Sequence, residues 1–196
     1  IPVEISQMRR AGVDSIFWLT HALIFAQWTQ QAEGQGYRPA YALTDIQAGS
    51  NDFTVENVPS STQALVLTTN RDGEQHANLP EAPRDKECRS RFERAKKMSF
   101  ERGSSDYFTV IRACAWLDLV ATAARAAGPQ LTADTFSSAL QRTTGFDFPW
   151  MAPGSFRVGK FDFADGVRLK RYDGGCRCWM PSEDFGPGAA FDGYGG

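Results

Sequence analysis

Between residues 3 and 70 the apolar positions switch twice between helical spacing and continuous runs. The stretch "VEISQMRRAG" reads as a helix closed by Gly12, and "DSIFWLT" as a short buried strand. In "HALIFAQWTQQAEGQG" the residues Ala22, Phe25, Ala26, Thr29 and Ala32 share one helical face, and Gly34 and Gly36 end the helix. The strand "AYALTD" follows, then a short helix around "NDFTVENV" and a third apolar run, "QALVLTTN". Strands this apolar, separated by helices, predict a parallel sheet covered on both faces and joined by right-handed crossovers. Ligands gather in such sheets outside the carboxyl ends of the strands. The positions to watch are therefore Thr20 and His21, Asp45 to Ser50, and Thr68 to Arg71, Asn70 among them.

Residues 71–86 are polar, contain two prolines and show no period, so they read as a long loop. A charged amphipathic helix, "ECRSRFERAKKM", comes next. The segment "SSDYFTVIRACAWLDLVATAARAAG" differs in being apolar almost all round from Tyr107 to Ala127, the mark of a helix buried on several sides or packed on a partner. Gly128-Pro129 stops it, and Thr132 is placed to cap a helix using Ala133, Phe136, Ala139 and Leu140. Beyond that the chain turns rich in aromatics, Gly and Pro, with alternation in "VRLKRYD", and predicts short antiparallel strands. The final "GPGAAFDGYGG" reads as a flexible tail, and there is no internal repeat.

Composition narrows the function classes. The 196 residues are 42% hydrophobic, enough for a folded core. Lys and Arg total 21 against 23 Asp and Glu, so the net charge of -2 offers no general attraction for nucleic acid. No stretch reaches the roughly 18 uninterrupted apolar residues of a membrane span. The opening "IPVEISQMRR" lacks the zones of a signal peptide and an initiator Met, and reads as a processed or trimmed chain. Four cysteines, Cys88, Cys114, Cys176 and Cys178, allow two disulfides in three connectivities. Cys114 also fits a buried small residue on an apolar helix. The single residue between Cys176 and Cys178, with no second pair, is not a zinc or redox spacing.

Catalysis finds no support. Only His21 and His76 could serve as a base for a nucleophile, and His76 lies in the polar loop, where a solvated side chain is expected. The nucleophile-elbow, phosphate-loop and dinucleotide fingerprints are all missing from the sequence. Asp45 is better placed, because a carboxylate at a strand's carboxyl end can accept hydrogen bonds from a ligand's ammonium or amide. The same residue could simply turn the loop or cap the next helix.

The order helix, "GVDSIFWLT", helix, "GYRPAYALTD", "LVLTTN", the long helix "IRACAWLDLVATAARAAG", a Thr-capped helix and "GSFRVGKFDFADGVRLKRYD" resembles the C-terminal half of a type 1 periplasmic binding protein. Within that group it is most similar to the branched-chain amino-acid (leucine/isoleucine/valine-binding) substrate-binding components of ABC transporters. The resemblance runs over about residues 3–181, most specifically in "AGVDSIFW" with "QAEGQGYRPAY" and in "AARAAG" with "LTADTFSSAL". It implies an α/β three-layer sandwich with a mostly parallel sheet, one ligand-binding lobe over 1–181, and a tail over 182–196.

The resemblance also implies a function without catalysis or cofactor: capture of an amino acid or related small polar ligand by lobe closure, outside the cytoplasm, in the periplasm or as a cell-surface protein or lipoprotein. Partners would be the transporter's permease and ATPase subunits; a sensor domain of the same fold, acting through partner contacts, is the alternative. Asp45 stands where relatives hold the ligand's ammonium, with Thr20, His21 and Asn70 lining the cleft. His21 and Ala22 replace the aromatic that relatives carry after the preceding strand, and Cys114-Ala115 stands near the register of their Tyr-Asp pair. An extracytoplasmic setting implies persistent disulfides, Cys88 with Cys114 and Cys176 with Cys178. The first lobe of the family is absent here, so 107–140 is expected to repack on its own domain, pair with a second copy or join a chain supplying that lobe. Asp45, without it, is expected to face water.

Overall fold

The structure, a computed structural model, describes residues 1–144, 146–160, 162–181 and 184–187. They fall into two compact units. The first holds Ile1–Thr68, Asp72–Leu79 and Arg168–Asp184; the second holds Thr69–Arg71, Pro80–Val167 and the described part of 185–196.

In the first unit, Pro2 opens α1 (Pro2–Arg10), where its missing N–H is needed by no partner and its fixed φ is already helical. Gly12, at φ 69°, supplies the left-handed residue that turns the chain into β1 (Ser15–Phe17). Then come α2 (Ala22–Gly34), β2 (Ala40–Thr44) and β3 (Gln63–Thr68), and, from the far end of the chain, β4 (Gly166–Asp173) and β5 (Cys178–Pro181). The strands lie in the order β1-β2-β3-β4-β5. β1 to β3 pair in parallel, whereas β3 with β4 and β4 with β5 are antiparallel, giving a mixed α/β sheet. The expected helix around "NDFTVENV" is a single 3-10 turn, Asp52–Thr54.

Alternation along the strands sends Tyr41, Leu43, Ala64 and Val66 to one face. There they meet Ile5 of α1, Phe25, Trp28 and Ala32 of α2, and Trp179 of β5 in one continuous core. Phe25 packs edge-on against Tyr41 and Trp18, with ring centroids 5.2 and 5.4 Å apart. Within this unit the cover expected on both faces is supplied on one. The other face carries exposed Phe17, Leu67 and Leu169, and the register sets Leu67 directly beside Leu169.

The second unit is mainly helical: α3 (Pro83–Lys96), α4 (Ser105–Ala127) and α5 (Ala133–Gln141), with β6 (Gly186–Pro187) paired to the first two residues of β4. α3 begins four residues before the expected Glu87, because Pro83 sits in its first turn and Asp85 faces the positive end of the helix. The Ser104 hydroxyl caps α4 by accepting from Tyr107 N at 3.2 Å. Thr132 and Thr135 cap α5 reciprocally, as the sequence predicts at Thr132. A disulfide joins Cys88 of α3 to Cys114 of α4, Cα atoms 6.2 Å apart, and in the first unit Cys176 is joined to Cys178.

α4 is long and apolar enough to cross a membrane by length and composition. Its charges nonetheless bind it into the second unit: Asp118 pairs with Arg84 at 2.9 Å, and the Arg112 guanidinium lies 4.4 Å over the Trp150 ring. One face buries Ile111, Ala115, Leu119 and Ala123, partly against Phe148 and Phe163. The opposite face leaves Trp116, Leu117 and Val120 exposed. Along that one side the helix packs within its own unit. Most of the tail expected over 182–196 lies outside the described residues.

Candidate functional site

Each parallel strand of the first unit ends in a loop that the sequence forces into a particular shape. After β1, the Thr20 hydroxyl accepts from the His21 N–H at 2.6 Å, and the exposed His21 is the N-cap of α2, its Nδ1 accepting from Leu23 N at 3.2 Å. A ring nitrogen that accepts carries no proton, so in the neutral ring of His21 the proton sits on Nε2. Thr20 and His21 thus stand together at the carboxyl end of β1.

β2 ends at Asp45, whose carboxylate does not cap the 3-10 turn Ile46–Ala48 that follows. Gln47 and Ala48 both hold positive φ, 54° and 65°, a strained pair that persists because the neighbouring contacts over-determine it. Thr44 Oγ1 accepts from Ile46 N, and Thr54 Oγ1 donates to Ala48 O at 2.7 Å. Gly49 is required here because a Cβ would run into the Thr44 carbonyl. The Gly/Ser loop is therefore a tight, pinned turn rather than a slack one.

Asp45, expected to face water, keeps part of its surface exposed. It is half-buried and within electrostatic range of the Lys170 ammonium, which belongs to β4. Lys170 is fully buried, and its Nζ donates to the Ser50 carbonyl at 3.4 Å. Burial pulls its ammonium down from 10.5 to about 8, opposed by the charges of Asp72, Asp45 and Asp52, while the nearby Arg168 adds to the fall. Arg168, two residues back on the same face, pairs with Glu74 at 3.0 Å, both nearly inaccessible to water.

Asp52 connects the group to its surroundings. One carboxylate oxygen lies 2.7 Å from His76 Nε2, and the other accepts from Trp179 N at 2.9 Å. His76 is accordingly half-buried and paired, not the solvated loop residue expected. The loop carrying it turns at Gly73, φ 85°, where the chain passes so close to Trp179 O that a side chain would clash.

Of the four expected site residues, Thr20, His21 and Asp45 lie at strand ends of the first unit. Asn70 belongs to the second unit, where it is buried and bridges to Met151 beside the Arg71 N to Trp150 O bond of 2.8 Å. The buried charges Asp72, Glu74, Arg168 and Lys170 were not singled out from the sequence. The available signal was the alternation in "RLKRY", which puts Arg168 and Lys170 on the face of the aromatic Tyr172. Among the described residues no group of His, Cys, Asp and Glu has the geometry to hold a metal ion.

No family model and no curated protein matches the chain. Solved structures do. A branched-chain amino-acid ABC transporter protein from Thermus thermophilus, solved with bound valine, superposes with a TM-score of 0.71 at 16% identity, over 96% of this chain and 50% of its own. A substrate-binding protein of an Aeropyrum pernix ABC transporter gives 0.69 at 11% identity, over 97% and 49%. The fatty-acid ABC transporter substrate-binding protein of Thermomonospora curvata gives 0.64 at 14%, over 95% and 46%. The chain thus has the fold of about half of a type 1 periplasmic binding protein, and it spans about half the length of the structures it matches.

Proposed function

We propose that this chain is the C-terminal part of an extracytoplasmic solute-binding component of an ABC transporter, taking an amino acid or a related small polar ligand and performing no catalysis. The observation that carries the reading is Asp45. It is a half-buried carboxylate that leaves its own 3-10 turn uncapped, at the carboxyl end of a parallel strand, in a fold shared with a valine-bound transporter protein. Asp45 receives the ligand's ammonium or amide, and Thr20 and His21 Nε2–H supply further polar contacts from the end of the adjacent strand. Capture is completed by closure against a first lobe, and the loaded protein then meets the permease and ATPase subunits.

The two disulfides suit a location outside the cytoplasm. The test is a thermal-shift screen of the full-length protein against amino acids, their amides and fatty acids. A ligand at 100 times its Kd stabilises by about 2.7 kcal/mol. An ammonium-bearing hit should lose at least about tenfold in affinity in Asp45→Asn, since a charged hydrogen bond contributes about 1.5–3 kcal/mol. A response confined to fatty acids, or unchanged affinity in Asp45→Asn, would refute the reading.

A further inference from the structure

The two disulfides differ in what they offer to an outside thiol. Cys88–Cys114 ties α3 to α4 in a cluster with Tyr107 and Ile111, and Cys88 is buried there. Cys176–Cys178 lies in the turn that joins β4 to β5, where Gly175, Cys176 and Arg177 are exposed while Cys178 is buried. A disulfide is broken when a thiolate attacks one of its sulfurs, so the pair that presents an exposed cysteine is the one open to exchange.

The turn has other means of keeping its shape. Asp173 Oδ1 accepts from Gly175 N at 2.7 Å and from Cys176 N at 3.4 Å, closing the bend through its own carboxylate. Gly174 passes so near the Ser60 carbonyl that a Cβ would clash with it, and Cys178 pairs with Asp173 at the head of the β4–β5 ladder. One position further on, the Trp179 N–H is held by the Asp52 carboxylate and the indole is buried in the core. A bond across a sequence separation of 2 removes little freedom from the unfolded chain, so the fold loses little when it opens. Cys176 Sγ also lies 3.7 Å from the Asp173 carbonyl, an acceptor in place for the thiol S–H of the reduced form. Arg177, between the two cysteines, is held at φ 54°, a left-handed conformation that a side chain disfavours and that opening of the bond leaves it free to relax.

We propose that Cys176–Cys178 is a thiol–disulfide exchange site, which takes two electrons from a dithiol while the surrounding fold and the Cys88–Cys114 bond stay intact. One thiolate of the dithiol attacks the exposed Cys176 Sγ. The S–S bond breaks, and its electron pair leaves on Cys178 Sγ, which takes a proton from solvent. The second thiolate of the dithiol then attacks the first sulfur of that dithiol in the mixed disulfide, and Cys176 leaves as a thiolate and is protonated in turn. The dithiol ends as a disulfide and the turn as two thiols. The same steps run in reverse with a disulfide as oxidant.

Dithiothreitol applied to the native full-length protein tests this, with samples quenched at intervals by an alkylating reagent and read by peptide mass. Cys176 and Cys178 should be labelled at least about tenfold faster than Cys88 and Cys114, with the near-ultraviolet circular dichroism of the aromatic core unchanged. Glutathione disulfide should attach glutathione to Cys176 in Cys178→Ser, and far more slowly to the buried Cys178 in Cys176→Ser. Equal labelling rates at all four cysteines, labelling that advances only as the circular dichroism collapses, or attachment at Cys178 in preference to Cys176 would overturn the proposal. None of these outcomes bears on solute binding, which the thermal-shift screen decides separately.

Discussion

Arg168 and Glu74 form an ion pair at 3.0 Å whose side chains are 1% and 5% exposed, deep in a unit where the strand alternation keeps both from water. Such a pair is retained only because its two ends desolvate together. Glu74→Ala removes a carboxylate that the buried guanidinium is paired with, and we expect a loss of about 3–5 kcal/mol in urea denaturation. The double variant Glu74→Leu with Arg168→Met should recover most of that loss. Losses that simply add in the double variant would show that the two residues act independently.

Lys170 gives stability a distinctive pH dependence. Its folded value of about 8 lies below the 10.5 of an unburied lysine, so between these limits the unfolded chain holds a proton that the folded chain has given up. Stability therefore rises with pH over that window, by about 3 kcal/mol in all. Measured from pH 7 to 10, the wild type should gain on Lys170→Arg by an amount of this order. A constant difference between the two would refute the assignment.

Tyr41 sets the opposite slope at higher pH. Burial raises its phenol from 10.0 to about 12. The unfolded chain then loses its proton first, so this contribution is intact below pH 10 and disappears as pH climbs through 12. Spectroscopic titration of Tyr41→Phe should lack one late-ionising phenol. A titration curve identical to that of the wild type would show that Tyr41 ionises with the exposed tyrosines.

The Cys88–Cys114 bond closes a loop of 26 residues in sequence separation, whereas Cys176–Cys178 closes one of 2. On loop-entropy grounds the first contributes on the order of 3 kcal/mol and the second little. Cys88→Ser with Cys114→Ser should lower the unfolding midpoint markedly, and the equivalent change at Cys176 and Cys178 only slightly. Protein purified without reductant should show no free thiol by mass; four free thiols would remove both bonds.

Leu117 separates the two faces of α4. It is 70% exposed, whereas Leu119, two positions on, is 7% exposed. In this chain Leu117→Lys should change stability by no more than about 0.5 kcal/mol, and Leu119→Ala should cost about 2–5 kcal/mol. If a first lobe covers the Trp116–Leu117–Val120 stripe in the full-length protein, Leu117→Lys becomes costly there. Equal tolerance in both would argue that nothing packs on that stripe.

The local features were legible because they depend on neighbours in sequence. Pro2, Gly12, Thr132 and the period of α2 specify where helices start and stop, and the apolar runs at 40–44 and 63–68 mark strands. The register was not legible, nor was the face that each strand buries. In "VRLKRYD" simple patterning would turn Val167 and Leu169 inward, yet the fold buries Arg168 and Lys170 and exposes Leu169. Carboxylates from residues 45, 52, 72 and 74 meet that face, and only chain segments roughly a hundred residues apart can supply them. His76 was misread for the same reason, since its partner Asp52 lies 24 positions away.

By itself the sequence determined the α/β alternation, the Thr132 helix cap and a resemblance specific enough to anticipate the fold. The tertiary structure alone decided what Asp45 faces. A carboxylate that reads locally as a turn former or a ligand contact lies half-buried beside a lysine 125 residues further along the chain, brought there by the antiparallel return of β4 onto β3. Charges act through space and burial rather than along the chain, so this pairing becomes visible only once the strands are in register.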